Sequence, residues 1–487
     1  MRRLLLLACA STGLAAAVAC ATSDVDAPSE SPNDAIPNAL PEGGSDDGGA
    51  ADDGAVPRVP SCSDAGWCTT SLPDPDLTLK DIWPFESRAF AIAESPTQGV
   101  KILEWDDAVQ KWEYIDDNTQ NTFESGEYAG KIWAPNENEV YYGVAPAFIY
   151  HGKRTAPSSP WSWQRSRLEN NSRDTNPDRD PGVARLGPPS GTVQAALRMP
   201  PADFPALGVW GTSADDVYAW YANTIFHRTS ESGGEATWVA EYIADDTTDL
   251  SDTFFLFSAT GSSRDDVWFS GTRGRHANTG VFSCPLVVHK TAKGYRRLVD
   301  HTISGTSNAD HTQGICGVKA NALNFQFWSL GVPGLIPPGP MAYRAGGWLT
   351  SIASAGPNAL ARIYQGRHFA YVDAKDGGIA RINQTTVRPP RNDTPSILTS
   401  VWVHETETWM SGWGLVLRMD KDVDQWSTGK HLTEPSNATD GGEGTYSVST
   451  TVLGGAPLGA PLYQVRGTSN TNLWAIGARY ALHKTTP

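Results

Sequence analysis

The sequence is poor in basic residues and in long apolar runs, and each shortage excludes a class of function. Its 487 residues include 38 Lys and Arg against 54 Asp and Glu, which gives a formal net charge of −16. Nucleic acid is therefore not an expected partner, because phosphate binding needs a basic surface. Beyond the first 19 residues, no segment approaches the roughly 20 apolar residues that a membrane-spanning helix needs. The N-terminus is thus the one place where the sequence predicts contact with a membrane.

Several short catalytic motifs are also missing. The sequence contains no Gly-x-Ser-x-Gly, no His-Glu-x-x-His and no glycine-rich phosphate loop, so it gives no support for the hydrolases, metalloproteases and nucleotide-binding enzymes that carry them. What it has in abundance is 18 Trp, 47 Gly and 34 Pro. This composition is typical of many strands joined by tight turns.

The first 60 residues predict an export signal and a stalk. Two arginines follow Met1, residues 4–19 are all apolar or small, and Cys20 comes next; this is the pattern of a signal peptide. Residues 17–20, Ala-Val-Ala-Cys, resemble a bacterial lipobox, which implies a lipid on Cys20. An ordinary cleaved signal with an unmodified cysteine is the alternative. Residues 20–60 are acidic, with Arg58 as their single base, and are predicted to form a disordered spacer.

The cysteines beyond the signal region predict disulfides. Four remain, an even number in a chain predicted to be exported, which suggests two bridges. Cys62 and Cys68 would close a small loop, and Cys284 would then pair with Cys316. Zinc binding is the competing interpretation, but these spacings do not match a zinc ribbon or finger.

A repeated unit governs the sequence from about residue 66 onward. The stretch 210–218 reads Trp-Gly-Thr-Ser followed by Asp-Asp-Val-Tyr, and variants of it recur. In four copies, an apolar residue of the predicted first strand lies eight residues before the residue that follows the acid or amide. These pairs of positions are 132/140, 209/217, 259/267 and 465/473. In the copy at 207, two more apolar segments follow at 223–228 and 237–240. Four short strands in each unit are typical of a β-propeller blade.

Applying this template predicts an all-β propeller of about eight four-stranded blades over residues 61–487. The units begin near residues 79, 130, 207, 257, 314, 361, 398 and 462. The units at 314 and 361 are weak, and merging them would give seven blades, the alternative. The last unit stops after its third strand, so we expect residues 66–71 to supply the fourth strand and close the ring.

The antiparallel order of the four strands in a blade predicts which face of the propeller carries the binding residues. Loops from the second to the third strand leave a blade on the same side as the connections between blades. Five long insertions, at 169–203, 271–283, 302–312, 331–340 and 434–461, are all predicted to emerge there. Because binding residues concentrate on loops held by a rigid scaffold, this side is the expected binding face. We expect it to bind protein or glycan, and we expect the chain to be a monomer.

Candidate ligand-binding residues follow from those insertions. Arg273, Arg275 and His276 share one of them and could meet an anionic ligand, while Tyr221 and Tyr446 could supply stacking surface. The alternative for each is an ordinary loop or packing role.

No cofactor is expected, and calcium is the one alternative that the sequence suggests. Asp174, Asn176, Asp178 and Asp180 alternate like the start of a calcium loop. However, Arg179 stands where such loops need Gly, and a solvated loop is the favoured interpretation.

Two recurring polar positions are interpreted as structural. His151, His227, His289 and His483 occupy one predicted third-strand position, so they do not form a ligand shell. The residues that fill this position in other units are Glu104, Arg344, Arg381 and Arg418. The acid or amide that opens the second strand is expected to bond nearby backbone N–H groups. The recurrent tryptophans at 83, 133, 210 and 402 are expected to pack between blades.

The Trp-Gly-Thr-Ser…Asp-Asp-Val-Tyr/Trp repeat resembles that of secreted bacterial propeller lipoproteins. The resemblance implies a fold and a place in the cell envelope, at the outer membrane, but no catalytic residues. The favoured hypothesis is a binding scaffold attached to the membrane by its N-terminal lipid alone. The alternative is a propeller enzyme, such as a glycan hydrolase or lyase or a quinone-dependent dehydrogenase. The fold alone does not choose between them.

Overall fold

The computed structural model describes much of the region that follows the predicted stalk. The described residues are 62–122, 128–172, 183–186, 202–230, 235–248, 250, 252–277, 280–304, 315–318, 349–356, 359–364, 368–373, 381–387, 398–404, 407–412, 414–420, 431–432, 447–449, 453 and 458–486. The chain divides into two compact units, Met1–Arg58 and Val59–Pro487, and every described residue belongs to the second. Cys20 and the predicted stalk therefore lie outside the described residues.

The described elements are strands, apart from one 3₁₀ turn at Thr119–Asn121. The strands that precede residue 206 are β1 Trp67–Thr69, β2 Thr78–Pro84, β3 Arg88–Ser95, β4 Gly99–Asp106, β5 Lys111–Tyr114, β6 Ala129–Asn136, β7 Glu139–Val144, β8 Phe148–Lys153, β9 Ser162–Arg167, β10 Val183–Leu186 and β11 Ala202–Pro205. The next group is β12 Leu207–Ser213, β13 Asp216–Tyr221, β14 Thr224–Thr229, β15 Thr237–Ile243, β16 Asp252–Ser263, β17 Asp266–Ala277, β18 Gly280–Thr291, β19 Gly294–Ser304 and β20 Ile315–Val318. The last group is β21 Leu349–Gly356, β22 Ala359–Tyr364, β23 His368–Asp373, β24 Arg381–Val387, β25 Leu398–His404, β26 Glu407–Gly412, β27 Leu415–Asp420, β28 His431–Leu432, β29 Ser447–Ser449, β30 Leu462–Ser469, β31 Asn472–Gly477 and β32 Tyr480–Lys484.

These strands form small antiparallel sheets arranged as a β-propeller. Five sheets have four strands: β2–β5, β6–β9, β12–β15, β25-β26-β27-β29 and β30-β31-β32-β1. Two sheets have five strands: β16–β20, and β21–β24 with β28. The strand β28 pairs in parallel with β24, and β10 and β11 form a separate hairpin. The first strands of neighbouring sheets contact one another in a closed cycle, from β2 through to β30 and back to β2.

The predicted blade count is wrong. The described strands form neither eight four-stranded blades nor the alternative set of seven, because two of the sheets carry a fifth strand. The predicted unit at 314 is the cause of the error. Ile315–Val318 is not a first strand but pairs with the edge strand β19, and Leu349–Gly356 is not a fourth strand but opens the next sheet. A short apolar run does not by itself show which neighbour it pairs with.

The predicted ring closure is confirmed. Trp67 pairs with Lys484 and Thr69 with Leu482, so β1 is the fourth strand of the sheet formed by the chain's last three strands. The Cys62–Cys68 disulfide joins this strand to the residues just before it. Closure by a terminal strand leaves the last sheet without an unfinished edge, which would otherwise be open to pairing with another chain.

The recurrent tryptophans pack between sheets, as the sequence predicted. The rings of Trp83 and Trp133, from successive first strands, meet edge to face with centroids 6.2 Å apart. A Cβ built on Gly211 would lie 2.8 Å from the ring of Trp133, and one built on Gly261 would lie 2.8 Å from that of Trp210. Glycine therefore follows the tryptophan position because the tryptophan of the preceding sheet occupies the space of a side chain.

Candidate functional site

One face of the propeller carries most of the described additions to the sheets. Connections between sheets, and those from a second to a third strand, leave on this side. It bears the β10–β11 hairpin, residues 244–250 and an extension of the long strands β16–β19, to which β20 is added. We call these additions the loop-bearing face.

The structure corrects two of the predicted insertions. Residues 271–283 are not a loop, because β17 and β18 remain paired as far as Ala277 and Gly280. The predicted insertion 434–461 does not follow a complete blade, since the fourth strand of its sheet, β29, begins at Ser447. Its first part therefore connects a third strand to a fourth and leaves from the opposite face. The insertion at 331–340 lies outside the described residues.

A buried ion cluster anchors the loop-bearing face. Arg273 is fully buried in β17, and its guanidinium contacts three carboxylates from different segments. The N–O distances are 2.5 Å to Asp246, 3.0 Å to Asp252 and 3.3 Å to Asp300. These aspartates belong to the connection after β15, the first residue of β16, and β19. One arginine therefore ties the inter-sheet connection to both long strands.

Two further contacts complete this cluster. The guanidinium of Arg273 lies over the ring of Phe254, 4.8 Å from its centroid. Arg297 adds a second cation, 3.1 Å from the other carboxylate oxygen of Asp300. The connection itself is turned by Asp246, whose Oδ1 accepts hydrogen bonds from the backbone N–H and the hydroxyl of Thr248. A paired, hydrogen-bonded and desolvated group of this kind is rigid, so the extension has a fixed position on its sheet.

This cluster replaces the predicted ligand-binding role of Arg273. The prediction placed Arg273 in an open loop, whereas its side chain is enclosed, and two of its guanidinium nitrogens are hydrogen-bonded to aspartates. The sequence analysis missed those aspartates altogether. The feature that could have indicated this cluster is strand length. The strands β16, β17 and β18 each have 12 residues, about twice the length of most other described strands. A hairpin of that length places Arg273 opposite Phe254 and diagonal to Asp252.

The other predicted ligand-binding residues are not brought together. Tyr221 is buried in the core at the end of β13, paired with Leu207 and Thr224, which does not favour a ligand-stacking role. Arg275 and His276 lie in β17 near the end of the hairpin, opposite Phe282 and Val281, but their side chains are not described. Tyr446 lies outside the described residues.

The calcium and second disulfide predictions fall partly outside the described chain. Asp174, Asn176, Asp178 and Asp180 are not described, so the calcium loop stays a prediction. Within the ranges that the structure describes, no group of three or more His, Cys, Asp or Glu side chains could hold a metal ion. Cys284 is disulfide-bonded, but the side chain of Cys316 is not described, and their pairing stays a prediction.

The third-strand histidines lie in a repeated structural network, in agreement with the sequence interpretation. Each stacks on an aromatic ring two residues into the second strand. The stacked pairs, with their centroid distances, are Tyr141–His151 at 4.0 Å, Tyr218–His227 at 4.5 Å, Trp268–His289 at 3.7 Å and Trp474–His483 at 4.0 Å. Arg418 takes the same position over Trp409, 5.6 Å from the ring centroid. The prediction is wrong for Arg381, which begins the fourth strand β24, and Arg344 lies outside the described residues.

The acid or amide that opens each second strand holds this network together. Asp216 accepts hydrogen bonds from Tyr218 at 2.9 Å and from His227 at 3.1 Å, and it also bonds the hydroxyl of Thr212. The expectation that these side chains bond backbone N–H groups is therefore wrong for Asp216. Its partners are side chains on three strands, because its carboxylate points across the sheet and not along the turn.

These networks shift pKa values strongly, but in opposite directions at equivalent positions. Burial lowers the pKa of His227, but the hydrogen bonds that Asp216 and Glu241 accept from its ring outweigh this effect and raise the pKa to about 9. Burial lowers the pKa of His483 to about 4, since its partner is the neutral amide of Asn472. Such shifts arise in structural networks as well as in catalytic sites, and here each histidine is stacked within its sheet.

Comparisons with known proteins give structural likenesses only. No family model matches the sequence, and no curated protein matches it. Among solved structures, YCF48 from Cyanidioschyzon merolae is 14% identical, with a TM-score of 0.44, over 87% of this chain and 99% of that chain. A structure of YCF48 bound to a D1 peptide is 11% identical, with a TM-score of 0.46, over 88% of this chain and 100% of that chain. The WD40 repeats of RRP9 are 8% identical, with a TM-score of 0.47, over 88% and 99%. These likenesses concern the fold alone.

Proposed function

We propose that the protein is a binding scaffold that engages a protein or glycan partner through its loop-bearing face. The observation that carries the proposal is the Arg273 cluster, which fixes an extension of four long strands on one side of the propeller. A surface held in place before binding loses less conformational entropy when a partner arrives. Burying one arginine among three aspartates is also a costly way to stabilise a sheet, which favours a role for the position of the extension itself.

The proposal is tested by shortening the hairpin end. A variant of the full chain in which a Gly-Ser turn replaces residues 275–282 keeps Arg273 and its three aspartates. The matched control replaces Ala214 and Asp215, in a short turn on the opposite face, with the same turn. Both variants and the parent chain are applied to a glycan array and to cross-linking with cell-envelope proteins. We expect to find a partner that binds the parent chain and the control. The same partner should bind the variant with the shortened hairpin at least about tenfold more weakly.

Two results would contradict this function. Equal binding by the shortened hairpin and the control would show that the loop-bearing face is not the binding surface. Turnover of any glycan by the parent chain, measured as new reducing ends, would instead support the alternative of a propeller enzyme.

We also propose that the protein is exported and attached to the cell envelope by a lipid on Cys20. The support is the resemblance of residues 17–20 to a lipobox after a short apolar signal. The structure describes no helix long and apolar enough to cross a membrane in the ranges given above. Metabolic labelling with an alkyne fatty acid should mark the parent chain and a Cys9→Ser variant but not a Cys20→Ser variant. Equal labelling of all three would overturn the anchor.

A further inference from the structure

Three basic side chains approach one another on the innermost strands where the ring closes. Lys80 lies on β2, Lys131 on β6 and Arg466 on β30, and these first strands are consecutive in the closed cycle. The same strands carry Asp81 and Tyr463. We call these five residues the inner cation cluster, and it lies apart from the Arg273 cluster of β16–β19.

The cations outnumber the carboxylates that they contact. Asp81 is buried, and one of its oxygens lies 3.5 Å from the guanidinium of Arg466 and 4.0 Å from the ammonium of Lys131. Lys80 is paired with Glu94 at 2.8 Å. Three positive and two negative side chains leave one excess positive charge in a chain whose net charge is −16.

Among the described residues, the ammonium of Lys131 makes no hydrogen bond, and the buried Oδ1 of Asp81 that faces it at 4.0 Å accepts none either. Arg466 donates to the carbonyl of Ile82 at 2.6 Å, and the other oxygen of Asp81 accepts the backbone N–H of Ile132 at 3.2 Å. Lys131 has only the distant contact with Asp81, although 28% of its side chain is exposed. Its three N–H donors are therefore available to a ligand.

The surroundings of Lys131 disfavour its charge. Burial lowers the pKa of Lys131, and the positive charges of Arg466 and Lys80 lower it further, while Asp81 raises it. Gly208, on the next first strand, lies beside it: a Cβ on Gly208 would lie 2.8 Å from the Lys131 Cβ and 2.3 Å from the ring of Trp220. Glycine there leaves room for both of these side chains.

A bound anion would remove this opposition to the charge of Lys131. It would neutralise the excess charge and accept hydrogen bonds from Lys131. The phenol of Tyr463, over whose ring Lys80 lies at 5.3 Å, is a further donor on the same strands, and burial raises its pKa and so keeps it protonated. We propose that the inner cation cluster binds an oxyanion, a carboxylate or a phosphate, with the ammonium of Lys131 as the main contact. This inference does not depend on the proposed function, because its test uses inorganic and small organic ions.

The test measures stabilisation by anions at constant ionic strength. The melting temperature of the full chain is followed as phosphate, or separately acetate, replaces chloride, so that general screening does not change. A ligand that binds only the folded state raises the melting temperature as its concentration passes its Kd. We expect saturable stabilisation of the parent chain. Lys131→Met, which keeps the aliphatic stem, should weaken the Kd about tenfold or more, because it removes a charged hydrogen-bond donor.

The control is Lys111→Met, which removes a lysine that is 65% exposed on the outer strand β5. It should bind as the parent does. Stabilisation by phosphate alone would identify a phosphate site, and stabilisation by acetate would identify a carboxylate site. No saturable stabilisation of the parent by either ion, or an unchanged Kd in Lys131→Met, would overturn the proposal.

A second measurement does not depend on how the methionine variant folds. Lysines carrying ¹³C-methyl groups give separate NMR signals, and Lys131→Arg identifies the one that belongs to Lys131. That signal should shift with the stabilising anion along the same curve as the melting temperature, while the Lys111 signal stays in place. Absence of a shift at Lys131 would equally overturn the proposal.

Discussion

Trp67 lies opposite Lys484, so the first described strand of the propeller completes the sheet formed by its last three. The indole is fully buried and meets Trp409 edge to face, with ring centroids 6.3 Å apart. Its N–H donates to the hydroxyl of Ser449 at 2.8 Å. Trp67 therefore joins the closing strand both to its own sheet and to the preceding one.

Replacing Trp67 should destabilise the whole ring. Trp67→Ala removes a large buried side chain and leaves a cavity between two sheets, which typically costs about 3–5 kcal/mol. We expect a fall of this size in the free energy of unfolding, measured with guanidinium chloride. Val109→Ala, at a position that is 65% exposed, is the control and should change it by less than about 0.5 kcal/mol. A loss below about 1 kcal/mol in Trp67→Ala would mean that the ring is stable without this contact.

The buried ion cluster should be sensitive to loss of its cation. Arg273→Met leaves the carboxylates of Asp246, Asp252 and Asp300 buried without the cation that joins them, and breaking a buried pair typically costs about 3–5 kcal/mol. Arg264→Met is the control. Its side chain is 62% exposed and lies 3.5 Å from the buried carboxylate of Asp216, and a pair whose cation is exposed to solvent contributes about 1 kcal/mol or less. Unfolding curves that place the two variants within about 1 kcal/mol of each other would contradict the anchoring role.

The sequence predicted strands and ring closure because both depend on local pattern. The eight-residue offset between recurring apolar positions such as Val209 and Val217 follows from a short turn, and the structure pairs Val217 with Gly211 and Val209 with Ala219. The missing fourth strand after Lys484 required a partner, and 66–71 was the available segment. Both inferences need only the alternation of side chains and the rule that sheet edges are covered.

The remaining features depend on contacts that the sequence does not order. Whether Ile315–Val318 begins a sheet or extends one depends on its pairing with β19, not on its own residues. The Arg273 cluster joins Arg273 to aspartates as far as 27 residues away along the chain. An arginine close to aspartates in the sequence is equally consistent with a solvated loop. The sequence does not show that the side chain of Arg273 is buried, and this burial distinguishes the two cases.

A glycine that packs against an inter-sheet tryptophan gives a third prediction. At Gly261, a Cβ would lie 2.3 Å from the carbonyl oxygen of Asp266 and 2.8 Å from the ring of Trp210. Since backbone and a buried ring both oppose it, Gly261→Ala should destabilise the protein by about 1–3 kcal/mol. Gly459→Ala is the control, because a Cβ there meets nothing within 4 Å. Equal unfolding free energies for the two variants would refute this packing explanation.

The opposite pKa shifts of His227 and His483 predict opposite effects of pH. The pKa of His227 is raised to about 9 in the folded protein. Its contribution to stability should therefore be complete below about pH 6.5 and disappear as the pH rises through 9. The pKa of His483 is lowered to about 4, so protonation favours the unfolded chain and stability falls between about pH 6.5 and 4.

Both effects can be measured by comparison with single variants. The difference in unfolding free energy between the parent and His227→Asn should shrink from pH 6.5 to 9.5. Relative to His483→Asn, the parent should lose stability from pH 6.5 towards 4.5. Histidine NMR signals report the two titrations directly. Titration of both residues near pH 6.5 would show that their networks do not perturb them.

The identity of the second-strand partner should decide the protonation of these histidines. Asn472 contacts His483 at 2.9 Å, in the position that Asp216 occupies for His227. Asn472→Asp should raise the pKa of His483 by about 1–3 units, because an opposite charge at hydrogen-bond distance favours the protonated ring.

A carboxylate alone is not sufficient, and His151 shows why. It bonds Glu139 at 2.7 Å, yet its pKa is lowered, first by burial and then by the nearby charges of Arg228 and Lys153. At His483 the charged residue that acts on the pKa is Asp107, which raises it, so the new aspartate should have its full effect. Stability is not the readout, since the change also removes the bond from Asn472 to the carbonyl of Phe85. An unchanged His483 titration in a folded Asn472→Asp variant would show that burial, and not the partner, sets the charge at this repeated position.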